Sequence, residues 1–130
     1  MNELDDLAAE LVSIPSHEDE TAAGERIADW LDAETAASVR IDEAGNVTAR
    51  RGSGDRSLAL VGHHDVVPPD ASQVGGETAD GADEYVVERR DGRLHGRGSA
   101  DMKGAVAAAM LAFRDADPPE ELVFASFAGE

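Results

Sequence analysis

Cysteine is absent from the 130-residue chain, which excludes a disulfide scaffold, a thiol nucleophile and any thiolate-ligated metal. Histidine and carboxylates remain as the strong metal ligands. Positive charge is scarce: 11 Lys and Arg stand against 28 Asp and Glu, a formal net charge of −17. Such a balance excludes a nucleic-acid binder. No stretch approaches the ~20 unbroken apolar residues of a membrane span. The opening Met1-Asn2-Glu3-Leu4-Asp5-Asp6 has neither the basic patch nor the apolar run of a signal peptide. The expected location is the cytoplasm, with neither membrane nor nucleic acid as a partner. Repeats and low-complexity blocks are also missing. With 42% hydrophobic residues the chain is too apolar for a disordered acidic tail, and its length suits one core, so one domain at most.

Lysine is nearly missing as well. Lys103 is the sole Lys, and the other cations are Arg. Together with heavy use of Asp, Glu and Ala, this resembles the composition of salt-in halophilic archaea. In molar salt the Debye length falls to roughly 3 Å, so the self-repulsion of so acidic a chain is largely screened. An ordinary acidic mesophilic protein is the other reading.

Leu4, Leu7, Ala8, Leu11 and Val12 form one apolar stripe, predicting a helix that ends before Pro15. Ser16-His17-Glu18-Asp19 reads as a capping box for a second helix, with Ala23, Ile27, Trp30 and Leu31 inward and a close near Ala37. Val39–Ile41 and Asn46–Arg50 then flank a turn at Glu43-Ala44-Gly45, predicting two short strands. Ser57–Gly62 is a nearly all-apolar run, expected as a strand buried on both faces. From Pro68 to Glu84 the chain is polar and Gly-rich, which predicts a long functional or mobile loop. A strand Tyr85–Arg89, a helix carrying Val106, Ala109, Met110 and Phe113, and a buried strand Leu122–Phe127 complete an α/β pattern.

Three segments could carry chemistry. In Gly62-His63-His64-Asp65, His63 and Asp65 share a face at the end of a strand. One ring nitrogen could bind a metal while the carboxylate takes the other N–H, although an isolated pair of this kind is more often a polar strand end. His64 points to the opposite face and reads as structural. In Gly96-Arg97-Gly98-Ser99-Ala100-Asp101-Met102-Lys103-Gly104, Asp101 stands at a helix start, where a plain N-cap is the simpler role. A phosphate loop fails there because Lys103 is followed by Gly104. Glu130, after the last strand, could be a general base, or an ordinary surface Glu.

Together the segments resemble the amino-terminal part of the M20 family of di-zinc metallopeptidases and amidohydrolases, which includes succinyl-diaminopimelate desuccinylase and acetylornithine deacetylase. Gly62-His63-His64-Asp65-Val66-Val67-Pro68 looks like the first family signature. Gly96-Arg97-Gly98 with Asp101-Met102-Lys103-Gly104 looks like the second. The resemblance implies an α/β zinc-exopeptidase-type catalytic domain, a mixed sheet flanked by helices, of which residues 1–130 are an incomplete portion. The lid, which usually dimerises, and the carboxyl-terminal part are missing from it. By the same resemblance His63 is a zinc ligand, Asp65 orients it, Asp101 bridges two zincs, and Glu130 is the general base. Zinc, with cobalt as a substitute, would then serve the hydrolysis of an amide in an N-acyl amino acid or small peptide.

Departures from the family pattern qualify that expectation. The second acidic residue after Glu130, a later acidic ligand and a distant His ligand fall outside the chain, which holds only His63 and Asp101 of the zinc ligands. The loop between the signatures also lacks the Trp and Pro-Phe often seen there. A catalytic zinc takes about three protein ligands, so the chain alone is expected to bind zinc poorly and to hydrolyse nothing. The alternative is an inactive truncated remnant that acts by association. A His-Asp phosphohydrolase ranks last, because such dyads sit on helices and Leu58–Val61 is strand-like.

Overall fold

A computed structural model describes residues 2–77 and 83–129. Helix α1 (Glu3–Ser13) begins at Asn2, whose side chain accepts from the Asp5 amide at 2.9 Å while the Asp5 carboxylate faces the Asn2 amide in return. Of its predicted stripe, Leu7, Ala8, Leu11 and Val12 are buried, whereas Leu4, in the first turn, is exposed. Helix α2 (Thr21–Glu34) starts later than the capping box predicted. Asp19, not Ser16, meets the first turn, accepting from the Thr21 amide at 2.9 Å. Ser16 is instead fully buried: its amide donates to the Tyr85 hydroxyl at 3.2 Å and its carbonyl accepts from the Val66 amide at 3.2 Å. A tertiary anchor has taken the residue that local capping logic claimed.

Strands β1 (Ser38–Ile41), β2 (Val47–Arg51) and β3 (Ser57–His63) follow, close to the predicted spans. The predicted loop from Pro68 contains a 3₁₀ turn at Ala71–Gln73 and a strand, β4 (Val74–Glu77), which pairs antiparallel with β5 (Asp83–Tyr85). The predicted strand Tyr85–Arg89 is divided, because Tyr85 ends β5 and a separate hairpin is made by β6 (Glu88–Arg90) and β7 (Arg93–His95). Helix α3 (Gly104–Asp115) and strand β8 (Glu121–Phe127) complete the described chain.

The main sheet has the order β1-β2-β8-β3, antiparallel except for the parallel pair β3/β8. One face carries Val47, Ala49, Leu122 and Phe124, and against it pack Ile27 and Leu31 of α2 with Val106, Met110 and Phe113 of α3. Gly62 of β3 opens toward α3, where an added Cβ would stand 3.1 Å from both Met102 and Val106 side-chain atoms. Helix α1 packs chiefly on α3. The mixed sheet with helices is as expected, but β3 is not buried on both faces. Among the described residues it has β8 as its only main-sheet neighbour, so Leu58 and Val61 are 64% and 57% exposed.

The β1–β2 turn is knotted by Asp42, whose carboxylate accepts from the Ala44 amide, the Asn46 amide and the Asn46 side-chain amide at 2.9–3.0 Å. Asn46 Oδ1 in turn accepts from the Ala128 amide at 2.9 Å, tying the turn to the end of β8. The Asn46 hydrogen bonds hold the Asp42 carboxyl below its usual value. A folded-state pKa that is depressed adds stability above the unfolded value, and this is lost as pH falls through the folded one. Urea midpoints are therefore expected to drop between pH 6 and pH 3, with a smaller drop in Asp42→Ala. An equal drop in both proteins would remove Asp42 from the acid response.

Candidate metal and acid–base site

Because β3 and β8 run parallel, their carboxyl ends lie side by side, the edge at which α/β sheets build sites. His63 is the last residue of β3, paired with Phe127 at the end of β8. Its Nδ1 lies 3.0 Å from Asp65 Oδ1 and its Nε2 lies 2.9 Å from Asp101 Oδ1. The His63 and Asp65 side chains are 13% and 19% exposed, whereas that of Asp101 is 75% exposed. The imidazole is thus held in the protein with one carboxylate behind it and another at the solvent side.

Asp101 is delivered by a tight turn, Ser99–Lys103, rather than as a helix N-cap. Its own φ and ψ are −132° and 89°, far from helical, and the Asp101–Met102 peptide is cis. Gly98 has φ +82°, and a Cβ there would come within 2.4 Å of Val66 Cγ1. The glycine therefore allows the turn to close against the segment that follows Asp65.

His64 faces the other way, as its strand position predicts, and is fully buried. Its Nδ1 meets Ser126 Oγ at 2.8 Å, and its amide donates to the Phe127 carbonyl at 2.9 Å. Burial pushes its pKa down to about 4, so the ring is neutral at pH 7 and serves as a clasp between the two strand ends. Lys103 is also fully buried, and burial lowers its pKa to about 7. The sequence alone assigns no site role to Lys103, Tyr85 or Asn46, and the solitary lysine is the one available signal. Glu130 lies outside the described residues.

A neutral imidazole has one N–H, yet both ring nitrogens of His63 face carboxylate oxygens. With Asp65 taking that proton, a lone pair and an anion are left 2.9 Å apart, a contact that becomes favourable when a proton or a metal cation lies between them. Two donors on one zinc, at bond lengths of about 2.0–2.1 Å and angles of about 90–110°, stand about 2.9–3.4 Å apart. The donor chemistry of this pair therefore fits a divalent metal. Among the described residues no group of three His, Asp or Glu is placed to hold one.

The His–carboxylate cluster thus lies where two neighbouring parallel strands of an α/β sheet end, the place where such sheets commonly bind ligands. The chain belongs to peptidase family M20/M25/M40, whose model matches residues 59–130. It is 40% identical over 115 residues to the succinyl-diaminopimelate desuccinylase of Xylella fastidiosa, covering 86% of this chain and 29% of that protein. The fold matches human carnosine dipeptidase 1 with a TM-score of 0.74 and 26% identity, over 98% of this chain and 32% of the dipeptidase. It also matches a Bacillus subtilis protein described as a dinuclear metal binding peptidase of the M20 family, with a TM-score of 0.59 and 18% identity, over 95% and 34% of the two chains. The chain thus spans about a third of the length of these relatives. At the level of the family, these are hydrolases. No helix among the described residues is long and apolar enough to cross a membrane.

Proposed function

We propose that residues 1–130 are the amino-terminal part of the catalytic domain of a zinc-dependent amide hydrolase acting on an N-acyl amino acid or a small peptide. The observation that carries this reading is the single imidazole flanked by two carboxylates, His63 between Asp65 and Asp101. His63 Nε2 and the Asp101 carboxylate would hold the metal, and cobalt could replace zinc. A divalent metal bound there supplies Lewis acidity toward an amide carbonyl and makes water acidic enough to react near neutral pH. Asp65 accepts the Nδ1–H of His63, which fixes the tautomer, aims Nε2 at Asp101 and raises the basicity of the ring. Glu130 takes the proton from the attacking water and returns it to the leaving amine. The remaining ligands, the acyl and amino-acid specificity, and any homodimer contacts belong to the longer protein. The desuccinylase and dipeptidase relatives support a small substrate bearing an amide bond.

Calorimetric titration of the chain with zinc in molar KCl tests the reading. Binding is expected to be weak, to vanish in His63→Ala and in Asp101→Ala, and to weaken about 10–100-fold in Asp65→Ala. Undiminished binding in His63→Ala would sink the ligand assignment. We also read the composition as an adaptation to high salt and a cytoplasmic setting. The urea midpoint at pH 7 is then expected to rise between about 0.1 M and 2 M KCl as the charges of the chain are screened; a flat or falling midpoint would remove that reading.

A further inference from the structure

We propose that Lys103 is a positioning residue: its buried amino group, held between the Ile14 carbonyl and the Tyr85 ring, fixes the turn that presents Asp101 to His63. The side chain is 1% exposed, and Nζ donates to Ile14 O at 2.5 Å and stands 5.4 Å from the Tyr85 ring centroid. Ile14 caps the carboxyl end of α1, where a cation is favoured by the helix dipole. Among the described residues no carboxylate pairs with this amino group, so it is not one half of a buried ion pair.

Its backbone closes the same turn, since the Lys103 amide donates to the Gly98 carbonyl at 2.8 Å. Between these two residues the backbone is non-helical at Asp101 and Met102, and the turn is closed at its carboxyl end by the Lys103 amide on the Gly98 carbonyl and the Gly104 amide on the Ser99 carbonyl. Asp101 is thus suspended between a glycine pressed on Val66 and a lysine pinned to α1 and Tyr85. The same buried cluster steadies the other carboxylate. Tyr85 accepts from the Ser16 amide, and Ser16 accepts from the Val66 amide, next to Asp65.

The composition points the same way. A chain that otherwise uses Arg for its cations keeps Lys here, where a compact ammonium can lie over a ring and meet one carbonyl, and a planar guanidinium with five donors cannot be satisfied. The importance of this pin for hydrolysis rests on the reading of Asp101 as a metal ligand, while the pin itself can be tested without metal.

Because the chain has no cysteine, Lys103→Cys offers a single thiol. Unfolded and treated with 2-bromoethylamine, it becomes a lysine analogue with sulfur in the side chain, and iodoacetamide gives a neutral cap of similar length. Each is refolded and compared with Lys103→Met and with the wild type taken through the same steps. Amide hydrogen exchange is expected to quicken about tenfold or more at residues 98–104 in Lys103→Met and in the neutral cap, to stay near wild type in β8 and the body of α3, and to be restored by aminoethylation. Zinc affinity should fall about tenfold and recover in parallel. Unchanged exchange, or exchange quickened equally throughout the protein, overturns the proposal, as does failure of aminoethylation to restore the turn. If the wild type itself binds no zinc, the exchange result still decides the role of Lys103, and the metal reading alone fails.

Discussion

Glu130→Gln, made in the longer protein, is expected under the proposed hydrolase reading to lower kcat about 10²–10⁴-fold, the usual contribution of a general base, while the metal content stays at its wild-type level. The substitution keeps the shape of the side chain and removes only its ability to take a proton. His63→Ala should abolish the same activity by another route, because it removes a ligand and the zinc content falls with it. Metal analysis beside single-turnover kinetics on an N-acyl amino acid separates the two. A Glu130→Gln enzyme that turns over at the wild-type rate would take the base role away from Glu130. The backbone that leads to Glu130 is held on two sides: His64 grips Ser126 and Phe127, and Asn46 grips Ala128.

The second large effect is on folding. Phe124 is 1% exposed at the centre of β8, aligned with Ala49 on one side and Leu60 on the other, with its ring 6.2 Å from that of Phe113 and tilted by 59°. Truncation to Ala removes contacts between sheet and helix and leaves a cavity that β8, bonded along both edges, cannot collapse to fill. Such a change costs about 3–5 kcal/mol, a large share of the roughly 5–15 kcal/mol that holds a domain together. Urea denaturation is expected to show the Phe124→Ala chain largely unfolded, or close to it, under conditions where wild type is folded. Val61→Thr, at a position 57% exposed on β3, should move the midpoint little. Equal effects at the two positions would contradict the assignment of the core face.

The legible parts of the fold were those set by local periodicity. The stripes of α1, α2 and α3 and the run of β8 are spaced by the geometry of helix and strand, and most of their inward residues are buried, with Leu4 and Phe127 at the ends exposed. Burial of β3 was misjudged because an apolar run records the chemistry of a strand and not how many neighbours it has. The capping box at Ser16 failed because that residue is claimed from far along the chain by Tyr85 and Val66, which no local rule registers. At the site, His63 with Asp65 could be read from a spacing of two on a strand. Asp101 could not be brought to His63 by any local rule, since the turn carrying it is irregular and 38 residues away in sequence; family resemblance supplied the association. Lys103 and Asn46 act through single hydrogen bonds to distant backbone, and a sequence pattern leaves no trace of such bonds.

The lone lysine also makes the chain unusual as a chemical object. With the only ε-amine 1% exposed, amine-directed acylating tags and cross-linkers meet no lysine on the folded surface. Label arriving at residue 103 therefore marks molecules in which the packing between α1 and Tyr85 has opened, so the rate of tagging, read by mass spectrometry, is a clock for that opening and needs no engineered probe.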